Sequence, residues 1–156
     1  MMAMIGAVAL AAGFSLGSVV AASEGTPATE PARLDLSVAP QAVAPGQPAQ
    51  VTLKVVPARG IKINRYPRIR LRVPGVSGLV EPIEVSLGNP NPPHPDALES
   101  NYFGDPEPVR LELRLDRSAP AGRHEIGAEV KYFYCVAESG YCAPKTAEIR
   151  IPVTVR

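Results

Sequence analysis

From residue 33 onward, apolar and polar side chains alternate in short runs that are broken by Pro, Gly and Asn. Leu34, Leu36 and Val38 alternate with Asp35 and Ser37, and Val51, Leu53 and Val55 with Thr52 and Lys54. Ile69, Leu71 and Val73 alternate with Arg68, Arg70 and Arg72, and Leu111, Leu113 and Leu115 with Arg110, Glu112 and Arg114. A period of two sends successive side chains to opposite faces of a strand, so each run predicts a strand with one apolar face. IKINRY (61–66), LVEPIEVSL (79–87), HEIGAEVKYFYC (124–135) and TAEIRIPVTVR (146–156) complete the series, with turn signals at APGQP (44–48), Pro74-Gly75 and APAG (119–122). Seven or eight such strands predict an all-β fold, a two-sheet β-sandwich of immunoglobulin-like type with a C-terminal cysteine hairpin. No run of helical period and useful length follows residue 22.

The N-terminal 22 residues break this pattern, being apolar and small without one charged side chain. They read as a secretory signal peptide cleaved after Ala22 or as an uncleaved membrane anchor. Residues 23–32 read as a flexible linker, and 33–156 as one β-sandwich domain. Either N-terminal reading puts the domain outside the cytoplasm, periplasmic or secreted, where two cysteines can be oxidised.

Composition narrows the function. A formal net charge of +1 excludes a protein held to nucleic acid or membrane by bulk charge. Pro 18 and Gly 13 are too many breakers for a helical bundle. Arg59, Lys62, Arg65, Arg68, Arg70 and Arg72 form a run of cations with no acid between them. Alternation puts Arg68, Arg70 and Arg72 on one strand face, which reads as solvated, with Glu112 and Asp116 as expected cross-sheet partners and docking to an acidic partner as the alternative. His94 and His124 lack ligand spacing relative to the cysteines, so no metal is expected. No nucleophile elbow, carboxylate pair or phosphate loop is present.

Cys135 and Cys142 remain as candidate chemistry, with six residues between them and a turn at Ser139-Gly140. Two strand ends joined by so short a loop predict an intramolecular disulfide. Spacing alone leaves open whether it is a staple, contributing about 2–3 kcal/mol, or an exchanging pair. Aromatic residues bear on that choice. Tyr132, Phe133, Tyr134 and Tyr141 flank the cysteines, while Tyr102 and Phe103 lie in a 21-residue excursion, Gly88–Pro108. A loop this long is expected to be functional and docked back on the domain. Folded over the hairpin, it would cover the disulfide with Tyr102 or Phe103, the alternative being that these rings fill the end of the sandwich. At least one ring of Tyr132–Tyr134 must nonetheless face the core. Lys131 and Lys145 are the nearest cations in sequence.

The run YFYCVAESGYCAPKTAEIRIPV resembles the cysteine hairpin of the N-terminal periplasmic domain of the thiol:disulfide interchange protein DsbD family. ESNYFGDPEPVRLEL is similar to that family's cap loop at Tyr102, Phe103 and Gly104, and IKINRYP to its early strands. The resemblance spans about residues 34–155. It implies an immunoglobulin-like domain that passes reducing equivalents to or from thioredoxin-like partners. Cys142 would form the mixed disulfide, Cys135 would resolve it, Tyr102 and Phe103 would cap it, and Tyr132, Tyr134 and Tyr141 would support it. No cofactor is implied, since the cysteine pair carries the electrons. The chain departs from the family in having six rather than five residues between the cysteines, and Ser100 and Asn101 where acids precede the cap aromatics. No membrane conductor or thioredoxin-like domain follows Arg156, so a separate membrane electron donor is expected unless the relay has been lost. A binding module of the same fold with a purely structural disulfide is the alternative.

Overall fold

A computed structural model describes residues 30–156, and the segment 1–22 expected to be a signal peptide or anchor lies outside the described residues. Nine strands among the described residues form two facing sheets. β1 (Ala32–Ala39), β3 (Pro48–Pro57) and β7 (Val109–Arg114) make the first, in the order β1-β3-β7. The second is ordered β2-β9-β8-β5-β6, from β2 (Ala42–Val43), β9 (Cys142–Val155), β8 (Gly122–Val136), β5 (Ile69–Val73) and β6 (Ile83–Leu87). β4 (Ile61–Ile63) adds to the cysteine end of β8, beyond the point where β5 pairs with it. The fold is an immunoglobulin-like β-sandwich.

The alternating residues meet where expected. Val51, Leu53 and Val55 of β3 and Leu111 and Leu113 of β7 are buried against Ile69, Leu71 and Val73 of β5 and Ile126 and Val130 of β8. Fully burying each such side chain contributes about 1.5–3 kcal/mol, so this double layer is the main source of stability.

Several boundaries differ from the sequence reading. β1 starts at Ala32, which is buried, and Ala58 N–H donates to Pro31 C=O at 2.9 Å, so residues 31 and 32 belong to the folded domain, and the rest of the expected linker, 23–29, lies outside the described residues. LVEPIEVSL is not one strand. Pro82 lacks the N–H a ladder needs, and only Ile83–Leu87 forms a strand, while Val76–Val80 folds into a tight turn whose Val80 makes an isolated bridge to Leu115. β9 starts at Cys142 rather than near Thr146, and β8 runs one residue past Cys135, the two in register from Gly122↔Val155 to Cys135↔Cys142. Arg72 sits in register between Glu84 of β6 and Glu129 of β8. Glu112, expected opposite the arginines, belongs to the other sheet and pairs with Arg114 at 2.8 Å.

Between Cys142 and Val153, β9 pairs with β8 alone among the described strands. Val136 N–H donates to Tyr141 C=O at 2.7 Å, so Cys135 and Cys142 occupy the adjacent, non-hydrogen-bonded rung. Every second residue from Cys142 therefore turns its backbone groups away from β8. Pro144 and Pro152 fall in that set, where a missing N–H removes no ladder bond.

Candidate functional site

The disulfide Cys135–Cys142 joins the last rung of the β8–β9 ladder, with the Cα atoms 4.0 Å apart. Its two halves differ sharply in access. Cys135 retains 3% of its surface, while Cys142 is exposed. Along β8, Ile126, Ala128, Val130 and Tyr132 face the core, so Cys135, an odd number of residues away, lies on the opposite face of the sheet. Something other than the core must cover it.

The covering group comes from the long loop, which carries a short 3-10 helix over Pro95–Asn101 and docks on the chain between β4 and β5. Asn101 brackets the Tyr66 backbone, accepting its N–H at 2.9 Å through Oδ1 and donating Nδ2–H to its C=O at 2.8 Å. Arg65 N–H donates to Asn101 C=O, and Arg65 Nε donates to Tyr102 C=O at 3.1 Å. Phe103 N–H donates to Ile63 C=O at 2.9 Å. Residues 101–103 thus lie alongside 63–66 like a short added strand.

This docking places Tyr102 and Phe103 differently. The Tyr102 hydroxyl donates to Cys135 Sγ across 3.6 Å, and the Lys62 ammonium stands 4.7 Å from the centre of its ring. Lys62 also bonds Glu99 at 2.8 Å, and this carboxylate holds its ammonium above the ordinary lysine pKa. Phe103 turns into the core, with the Arg65 guanidinium 4.6 Å from its ring centre. The expected cap is therefore Tyr102 alone, with Phe103 as its anchor. Gly104 is exposed, and a Cβ there would meet nothing, so no close approach requires glycine at that position.

The remaining aromatics separate by strand face. Tyr132 is fully buried in the core, away from the disulfide, because its even position on β8 points between the sheets. Tyr134 shares that inner face and lines a groove with Ile61, Val136 and Tyr141 at the end of the sandwich. Tyr141, beside Cys142, is 60% exposed. Neither lysine nearest in sequence meets the sulfurs: Lys145 bonds Glu30 at 2.7 Å and Lys131 stands 5.8 Å from the Phe133 ring centre.

Two residues at the site were not anticipated. Lys62 is the register partner of Cys135, and Asn64, buried to 9%, brings Oδ1 within 3.5 Å of Cys135 Sγ. Both sit at alternate positions around β4, on the face that carries the disulfide. That spacing is visible in IKINRY, but the pairing of this segment with the cysteine strand is a long-range contact that spacing does not reveal.

Among the described residues, no three His, Cys, Asp or Glu side chains gather in metal-binding geometry. His94 accepts the Asp96 N–H, and His124 bonds Pro120 C=O.

No protein-family model matches the chain, and no curated protein matches it. Among solved structures, murine CRIg is similar over 80% of this chain and 98% of its own, at 14% identity and a TM-score of 0.37.

Proposed function

We propose that the domain is an extracytoplasmic thiol–disulfide exchange module. The observation that carries this reading is the unequal exposure of the two sulfurs, with Cys142 open and Cys135 buried beneath Tyr102. A partner thiolate attacks Cys142 Sγ, forming a mixed disulfide while the Cys135–Cys142 bond breaks. Cys135 leaves with the electron pair as a thiolate and takes a proton from solvent. A second thiol of the partner then attacks the mixed disulfide and releases Cys142, so the pair gains two electrons and the partner is oxidised. The reverse sequence passes the electrons on. Both partners are thioredoxin-like domains or a membrane electron donor of that dithiol chemistry, and the cysteines serve as the carrier without a cofactor.

Cys135→Ser should leave Cys142 able to trap a thioredoxin-like protein as a stable mixed disulfide, whereas Cys142→Ser should trap none. The wild-type reduction potential should fall within about −180 to −270 mV. A potential below about −300 mV with no trapped partner would sink the exchange reading.

A second reading has its own support. The disulfide closes the end of an uninterrupted antiparallel ladder, where it also acts as a staple on an immunoglobulin-like binding module. In that case the loss of either cysteine costs about 2–3 kcal/mol of stability and nothing else.

A further inference from the structure

Asn64 is the buried polar residue of the described chain, and its amide orientation is fixed. Nδ2 faces the Tyr66 carbonyl at 3.4 Å, and a carbonyl only accepts, so the amide nitrogen must lie there and Oδ1 must point the other way. Oδ1 then meets Cys135 Sγ at 3.5 Å, its one hydrogen-bonding contact among the described residues. A disulfide sulfur carries no hydrogen. In the oxidised protein, two acceptors therefore face one another inside a site largely closed to water, and the amide oxygen gains no donor from the sulfur.

We propose that Asn64 is a positioning residue that biases the Cys135–Cys142 pair toward its reduced form. When two electrons and two protons convert the disulfide to two thiols, Cys135 S–H becomes a donor and Asn64 Oδ1 its acceptor. An unmet buried acceptor costs more than a hydrogen bond gains, so the oxidised state carries a penalty that reduction removes. The Tyr102 hydroxyl approaches the same sulfur and donates in either state, so it does not bias the equilibrium in this way. The biological meaning of the bias rests on the exchange reading, but the bias itself does not.

The test compares equilibrium constants against reduced and oxidised glutathione, with two glutathione molecules giving up the electrons as they form their own disulfide. Asn64→Leu keeps the volume and removes the acceptor. It should shift the constant about fivefold toward the protein disulfide, about 20 mV for a two-electron couple. Loss of the Nδ2 bond to Tyr66 affects both redox states and cancels in this ratio. Equal constants in variant and wild type would overturn the proposal, whatever the absolute potential or the outcome of partner trapping. If Asn64→Leu does not fold, the S–H stretching bands of two other variants decide the matter. The Cys135 thiol of Cys142→Ser should absorb at lower frequency than the same thiol in Cys142→Ser combined with Asn64→Ala, which lacks the acceptor, and coincident bands would overturn the proposal.

Discussion

A phenol and a phenyl ring cover a sulfur equally well, but only the phenol can donate a hydrogen bond to it. Tyr102 brings its hydroxyl to the sulfur that must leave when Cys142 is attacked, at 3.6 Å in the resting disulfide. As negative charge develops on Cys135, that bond becomes charge-assisted and strengthens. Tyr102→Phe should therefore slow reduction by dithiothreitol, by about tenfold if the bond to the departing thiolate is worth about 1.5 kcal/mol. Tyr102→Ala should act in the opposite sense, because removing the ring exposes Cys135 itself to thiols. Free-thiol release over time measures both. If the phenylalanine variant reacts like the wild type, the hydroxyl has no part in the chemistry and Tyr102 is a cover only. The Lys62–Glu99 pair beside it is exposed, so its role is to steady the ring rather than to stabilise the fold.

At the scale of elements, the site depends on a loop behaving as a strand. Residues 101–103 dock beside 63–66, and the loop's entry is pinned where Asn89 N–H donates to Arg65 C=O at 2.8 Å. Gly88 makes that approach possible, since its φ is +125° and a Cβ there would overlap the Arg65 carbonyl. Gly88→Ala should destabilise the protein by about 1–3 kcal/mol and loosen the cap, raising the rate of thiol attack together with the urea sensitivity. An unchanged urea midpoint would mean that the contacts of residues 101–103 anchor the loop without help from its entry at Gly88. The strands themselves were legible because β3, β5, β7 and the middle of β8 each bury one face, and burial enforces alternation. The disulfide was legible from the spacing of the two cysteines, and the docking of Tyr102 beside it from the length of its loop and the clustering of aromatics. What alternation could not supply was the face of the sheet. Tyr132 and Cys135 sit three residues apart on opposite faces, so proximity in sequence placed Tyr132 beside the disulfide while the strand carries it into the core. Asn64 was missed for a related reason, because its role arises only when β4 pairs with β8.

At the scale of the whole molecule, the core between the sheets outweighs the disulfide, and Tyr132 is its largest fully buried side chain. That burial, with smaller contributions from the Glu30 carboxylate and Tyr134, pushes the Tyr132 phenol up to about 12 from an ordinary value of 10.0. In the unfolded chain the same phenol ionises near pH 10. Between pH 10 and about 12 the unfolded chain therefore binds fewer protons than the folded one. Stability falls with rising pH wherever that is so. The contribution of Tyr132 is thus complete below pH 10 and is lost as the pH climbs toward about 12. The urea midpoint of the wild type should drop across this window more steeply than that of Tyr132→Phe, which has no proton to lose. The two proteins should be close in stability at neutral pH, because a ring of nearly the same volume fills the same place between the sheets. Parallel pH profiles would mean that the phenol ionises in the folded protein as readily as in the unfolded chain.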